Sequence, residues 1–134
     1  MTTIKEKKRC GRPPKAEYKE PKRPKRKMPT KRVFVCSPLK GNVERNMARA
    51  EIYCRFVFDE GYVPVAPHIY YPRFLDDTDK DERAAGIRYG LEEMWRCKQV
   101  WVFGRVTDGM RAEIELAKEL KISVIYFDLD MEEI

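Results

Sequence analysis

Val100-Trp-Val-Phe-Gly-Arg-Val-Thr-Asp-Gly-Met-Arg-Ala-Glu-Ile-Glu-Leu-Ala-Lys-Glu-Leu-Lys-Ile-Ser-Val-Ile-Tyr-Phe127 is the stretch whose reading decides the fold. Its two apolar ends read as strands, and its centre reads as a polar loop running into a helix. The loop carries Asp108-Gly109, and Glu113 follows within the first turn or so of the helix. In open α/β sheets ligands bind where the carboxyl ends of strands meet helix N-termini. A carboxylate there also stands at the positive end of a helix dipole, which favours its ionised form.

The same alternation extends upstream. Lys31 to Pro38 is a short apolar strand stopped by Ser37-Pro38, and the loop Leu39-Lys-Gly-Asn42 offers Asn42 as a helix cap. Val43, Met47, Ala50, Cys54 and Val57 recur at helical spacing, widened by Ile52, Tyr53 and Phe56, until Gly61 ends the helix. Tyr62 to Ala66 is a second strand, which Pro64 assigns to a sheet edge. Pro67 to Leu75, with two prolines and three aromatics, reads as a loop. A helix is expected from about Asp79 to Arg96, with Ala84, Ile87, Leu91, Met94 and Trp95 on its buried side. Gln99–Phe103 is the third strand, Met110–Leu120 the third helix, and Ile122–Phe127 the fourth strand. Strands alternating with helices pair in parallel through right-handed crossovers. The expected fold is therefore α/β, a three-layer sandwich on a small parallel sheet of flavodoxin or Rossmann type.

Charge divides the chain. Residues 1–32 hold 14 Lys/Arg against 3 Glu, a net of +11, with five of the nine prolines; residues 33–134 hold 14 Lys/Arg against 19 Asp/Glu, a net of −5. The first segment has too little apolar surface to offset the entropy of ordering and reads as a disordered basic tail. The remainder suffices for one domain. No apolar run reaches membrane-spanning length and no signal peptide is visible, so a cytoplasmic protein without membrane partners is expected. Cys10, Cys36, Cys54 and Cys97 show no paired spacing, and the last three read as reduced core residues. His68 is the sole histidine, so no metal site and no cofactor are expected. Asp76, Asp77, Asp79 and Asp81 lack the glycine and terminal glutamate of a calcium loop, and read as caps and solvated charges.

Three segments carry a family resemblance: Val33-Phe-Val-Cys-Ser-Pro38; Val65-Ala-Pro-His68 with Phe74-Leu-Asp-Asp77; and Asp108-Gly-Met-Arg-Ala-Glu113 with Ala117 and Val124. Through them residues 33–127 resemble the nucleoside 2-deoxyribosyltransferase-like superfamily, most of all a branch found in bacteria and their phages. The third segment is similar to the family's Gly-Thr-x-x-Glu motif, which places the nucleophile at Glu113. The resemblance implies a domain at 33–134 that binds a nucleoside or nucleotide, transfers or hydrolyses at the N-glycosidic bond, and forms a homo-oligomer. Two positions depart from the pattern: Cys97-Lys98 stands where the family has an acidic residue before the third strand, and Met110 stands in place of the hydroxyl residue after the loop glycine. These departures keep a non-catalytic nucleotide sensor or adaptor open as an alternative.

Cleaving an N-glycosidic bond builds positive charge on the sugar, which a carboxylate on one face stabilises or captures covalently. Glu113 suits that task, kept ionised by the dipole and free backbone N–H groups. Asp108 serves to bind sugar hydroxyls or to cap the helix, beside Gly109 and Met110. Protonation of the departing base falls to Asp76, Asp77, Tyr70 or His68. The loop of Ser37, Pro38, Lys40 and Gly41 is placed to hold ribose or phosphate. Each residue also has a plainer role: Glu113 and Glu115 as solvated helix charges, Asp108-Gly109 as a turn, His68 bonded to the loop backbone, Tyr70, Tyr71 and Phe74 as core cover. Trp95 and Trp101 lie in periodic apolar patterns and are expected in the core.

In the tail, Cys10-Gly-Arg-Pro-Pro-Lys15 resembles the core of an AT-hook, whose arginine enters the narrow minor groove of A·T-rich DNA. Arg9, Gly11, Arg12, Pro13 and Lys15, with Lys22, Arg23, Lys25, Arg26 and Lys27, are the candidate DNA contacts. A merely solubilising tail is the alternative.

Overall fold

Four short strands meet edge to edge in the computed structural model, which describes residues 30–134. The elements are β1 (Arg32–Cys36), α1 (Val43–Asp59), β2 (Val63–Val65), α2 (Pro67–Phe74), α3 (Lys80–Met94), β3 (Gln99–Phe103), α4 (Asp108–Glu119) and β4 (Ser123–Phe127). The sheet runs β2-β1-β3-β4 with every pair parallel, so it is the expected small parallel α/β sheet. Phe34 pairs with Val65 on one side and Val100 on the other. The candidate DNA contacts from Arg9 to Lys27, and Cys10, lie outside the described residues.

Alternating side chains of the central strands feed two cores. Val33, Val35, Trp101 and Phe103 face α1, where Tyr53 and Val57 close one layer with Phe127. Phe34, Cys36, Val100 and Val102 face the other way, against Met94 of α3 and Met110, Ile114 and Ala117 of α4. Strands covered on both faces read as continuous apolar runs, as β1 and β3 do. Aromatic stacking reinforces the first layer: the rings of Tyr53 and Phe103 lie 4.4 Å apart and nearly parallel, at 6°.

Local signals act as expected at several points. Asn42 caps α1, accepting from the Arg45 backbone N–H at 3.1 Å. Gly61 follows the α1 C-cap with φ +93. Pro64 sits in β2 at the sheet edge, where its missing N–H leaves no ladder gap on a far neighbour. Asp79 caps α3 through the N–H groups of Asp81 and Glu82.

Four expectations are corrected. Pro67–Phe74 is a helix, not a loop: Pro67 occupies its first turn, where no N–H is needed, and Pro72 comes late enough that the helix ends just beyond it. Trp95 (67% exposed) and Ile87 (57% exposed) are not core residues, because the face of α3 turned to the sheet is lined by Gly90 and Met94. Ala84 is exposed on the same side. On α1, Val43 and Ile52 point to solvent, since Met47, Ala50, Tyr53 and Val57 already fill its buried stripe. Trp101, by contrast, is buried. No helix among the described residues is long and apolar enough to cross a membrane.

Candidate functional site

The chain leaves β1 towards β2 on one side of the sheet and runs from β3 to β4 on the other. The strand order thus reverses between β1 and β3, and sheets of this kind take ligands at the carboxyl ends of the strands beside such a reversal. Cys36 and Ser37 end β1 there, Ala66-Pro67-His68 follow β2, and α4 rises behind Phe103-Gly104.

Two side-chain pairs form at this end. The Cys36 thiol donates to Glu113 Oε1 at 3.6 Å and lies 3.9 Å from the Met110 carbonyl. The Ser37 hydroxyl meets His68 Nε2 at 2.7 Å, with Ser37 almost fully buried. Neighbours in sequence, Cys36 and Ser37 link α4 to the start of α2 through the end of one strand.

Glu113 is the sixth residue of α4, in its second turn. Dipole stabilisation is confined to the first turn and does not reach it. Burial instead raises its pKa from 4.5 to about 7, against a smaller lowering by the Cys36 hydrogen bond. The expectation that the helix N-terminus keeps this carboxyl ionised is therefore corrected: desolvation dominates, and near neutrality the group is close to half protonated. Burial, with Glu113's charge and hydrogen bond, also pushes the Cys36 thiol far up, so it remains a donor. His68 goes the other way; burial lowers its pKa to about 4, so it is neutral at physiological pH.

Thr107, not Asp108, caps α4, accepting from the Met110 N–H at 3.4 Å. Asp108 opens the helix with a fully exposed side chain 3.5 Å from Arg111. Gly109 beside it is exposed, and Met110 is buried in the core. The Ser37–Asn42 loop is held by Asn46, whose side-chain amide donates to the carbonyls of Leu39 and Lys40, each at 3.0 Å. Gly41 has φ +101, a conformation that suits glycine, and the Lys40 side chain reaches solvent.

Other candidates are engaged elsewhere. The Tyr70 hydroxyl donates to Glu93 of α3, and burial with that bond pushes its pKa up. Asp76 accepts from the Thr78 N–H and hydroxyl, at 2.9 and 2.6 Å, which holds its carboxyl below the usual range. Asp77 is exposed, 3.9 Å from Arg83. None of these three bonds to either pair. Lys98 lies at the opposite end of β3, its N–H bonded to the Arg32 carbonyl. A separate cavity of about 280 Å³, lined by Arg32, Val65, Tyr71, Tyr89, Glu92, Glu93 and Arg96, opens beside α2 and α3. Cys36 is the site residue that the sequence reading assigned to the core alone. Its only signal was its place, one residue before the Ser37-Pro38 stop.

A family model described as Domain of unknown function (DUF7768) matches residues 31–127. No curated protein matches the chain. Among solved structures, a 2-deoxyribosyltransferase from Bacillus psychrosaccharolyticus is similar with a TM-score of 0.58 at 17% identity, over 72% of each chain. A 2-desoxiribosyltransferase from Leishmania mexicana is similar with a TM-score of 0.54 at 13% identity, over 73% of this chain and 64% of its own. The likeness is one of fold.

Proposed function

This chain belongs to the DUF7768 family, and on that footing we propose that the carboxyl end of its sheet binds a nucleoside or nucleotide and acts on the N-glycosidic bond through Glu113. The observation that carries this reading is the desolvated Glu113 carboxyl, held by Cys36 one residue from the Ser37–His68 pair. A fold shared with two deoxyribosyltransferases supports it. Within the superfamily, Val65-Ala-Pro-His68 and Phe74-Leu-Asp-Asp77 favour the bacterial and phage branch.

In this mechanism the ionised Glu113 attacks the anomeric carbon as the C–N bond breaks, giving a glycosyl-enzyme and the base, which leaves with the electron pair of the broken bond and takes its proton from solvent. A second base or water then displaces the sugar. Burial leaves the carboxylate poorly solvated and so more reactive, while the Cys36 thiol fixes one oxygen. Ser37 and the Lys40-Gly41 loop receive sugar hydroxyls or a phosphate. Neutral His68 orients the Ser37 hydroxyl and offers a ring N–H or lone pair, with the tautomer set by the ligand. Asp76, kept ionised by Thr78, is ill suited to protonate the base. Asp108, exposed at the head of α4, is assigned to sugar hydroxyls.

The test is turnover of nucleosides, deoxynucleosides and their monophosphates, with and without a second free base, read by mass spectrometry. Base release or exchange by the wild type, lost in Glu113→Gln, supports the proposal; turnover unchanged in Glu113→Gln overturns it. A second reading, a nucleotide sensor without turnover, is favoured by Met110 buried where relatives carry a hydroxyl. It predicts ligand retained in native mass spectra with no product formed. Gly11-Arg12-Pro13 supports a separate role for the tail in binding A·T-rich DNA, which weakened retardation of such a duplex by Arg12→Ala would test.

A further inference from the structure

The cavity of about 280 Å³ beside α2 and α3 carries charges of both signs that the described residues leave unpaired. Arg32, the first residue of β1, and Arg96, just past the end of α3, bring two guanidiniums to it. Glu92 and Glu93 of α3 bring two carboxylates. Among the described residues, neither arginine forms an ion pair with either glutamate. Glu92 and Arg96 are four residues apart, a spacing that pairs charges on a continuous helix, but α3 ends at Met94 and Arg96 leaves that row. Glu93 accepts from the Tyr70 hydroxyl through Oε2, which leaves Oε1 open. Buried Val65 and the rings of Tyr71 and Tyr89 complete the wall. Those rings lie 6.3 Å apart at 42°, too close to admit a third ring between them, so they offer an apolar side rather than a stacking slot.

We propose that this cavity binds a free α-amino acid with an apolar side chain. The α-carboxylate lies against Arg32 and Arg96, whose guanidinium forks match a carboxylate. The α-ammonium lies against Glu92 and Glu93, and the side chain against Val65 and the two tyrosine rings. The balance of the walls selects this class of ligand. Two arginines against two glutamates leave no net charge, so inorganic phosphate or a nucleoside monophosphate meets repulsion from the carboxylates, and a polyamine meets it from the guanidiniums. A zwitterion finds a partner for each of its charges. The site is distinct from the one at Glu113: Arg32 and Cys36 stand at opposite ends of β1, roughly 13 Å apart at ~3.3 Å per residue. The inference is therefore independent of the glycosidic chemistry.

Isothermal titration of the full chain with L-phenylalanine and with L-leucine tests this. At least one should form a one-to-one complex with a Kd on the order of 100 µM, the affinity that roughly ten non-hydrogen atoms deliver in a small open site. For whichever binds, the analogue lacking the ammonium and the analogue lacking the carboxylate (for L-phenylalanine, 3-phenylpropanoate and phenethylamine) should each bind about tenfold more weakly or worse. Arg96→Gln and Glu92→Gln should each weaken binding about tenfold, with unchanged circular dichroism because both side chains are exposed. Glu113→Gln should bind the same amino acid as the wild type does, which separates this site from the proposed catalytic one. No binding of either amino acid at about 10 mM overturns the proposal. So do singly charged analogues that bind as tightly as the amino acid, or an affinity unchanged in Arg96→Gln and Glu92→Gln. Adenosine monophosphate bound in place of an amino acid, and weakened by Arg96→Gln, also overturns it and assigns the cavity to a nucleotide.

Discussion

Glu113 and His68 show how burial dominates protonation when no ion pair intervenes. Glu113 has a folded pKa near 7 against 4.5 unfolded, so the native state holds the extra proton between those values. Stability therefore falls as pH rises from about 4.5 to 7, and is level above. Glu113→Gln should be more stable than wild type at pH 8, by about 1–3 kcal/mol in chemical denaturation, with the gap closing by pH 4.5. If the carboxylate is the nucleophile, glycosidic turnover should also rise with pH along a limb centred near 7. His68 is shifted the other way, from 6.5 to about 4, so it costs stability as pH falls through that window. As the sole histidine, its ring resonances can be followed directly. They should stay in the neutral position down to about pH 5; a midpoint near 6.5 would show that the Ser37–His68 pair is open to water. Neither shift was legible in the sequence, because desolvation depends on what the fold places around a side chain.

At the scale of elements, local chemistry was readable wherever one residue type decides the outcome. Asn42, Gly61, Pro64 and Asp79 do what their side chains and φ preferences dictate. Asn42→Ala should cost about 1 kcal/mol of stability, the worth of a typical cap. Periodicity misled where two faces of a helix are both apolar. On α3, spacing alone cannot tell the core shoulder at Gly90 and Met94 from the outer one at Ile87 and Trp95. The two tryptophans separate these roles experimentally: Trp101→Ala should cost about 3–5 kcal/mol by leaving a cavity between α1 and the sheet. Trp95→Ala should stay within about 0.5 kcal/mol. α2 was missed because two prolines in eight residues suggest a loop, yet one proline opens the helix and the other precedes its end. That helix is what carries His68 to Ser37.

Across the whole molecule, strand and helix alternation was sufficient for the sheet, its edge strand and its two cores, because a parallel sheet admits few connections. The reversal between β1 and β3 follows from that order and fixes where sheets of this kind take a ligand. What alternation does not specify is which side chains meet there: Tyr70, Asp76 and Asp77 turn to partners of their own, whereas Cys36 comes into contact with Glu113. The proposed chemistry rests on that contact and on a covalent sugar at Glu113. Quenching the protein with acid during exposure to a deoxynucleoside, then mapping its peptides by mass, tests this most directly. The account predicts one deoxyribosyl adduct on the peptide that contains Glu113, absent in Glu113→Gln. Base released with no adduct at Glu113, or an adduct on another residue, would contradict it.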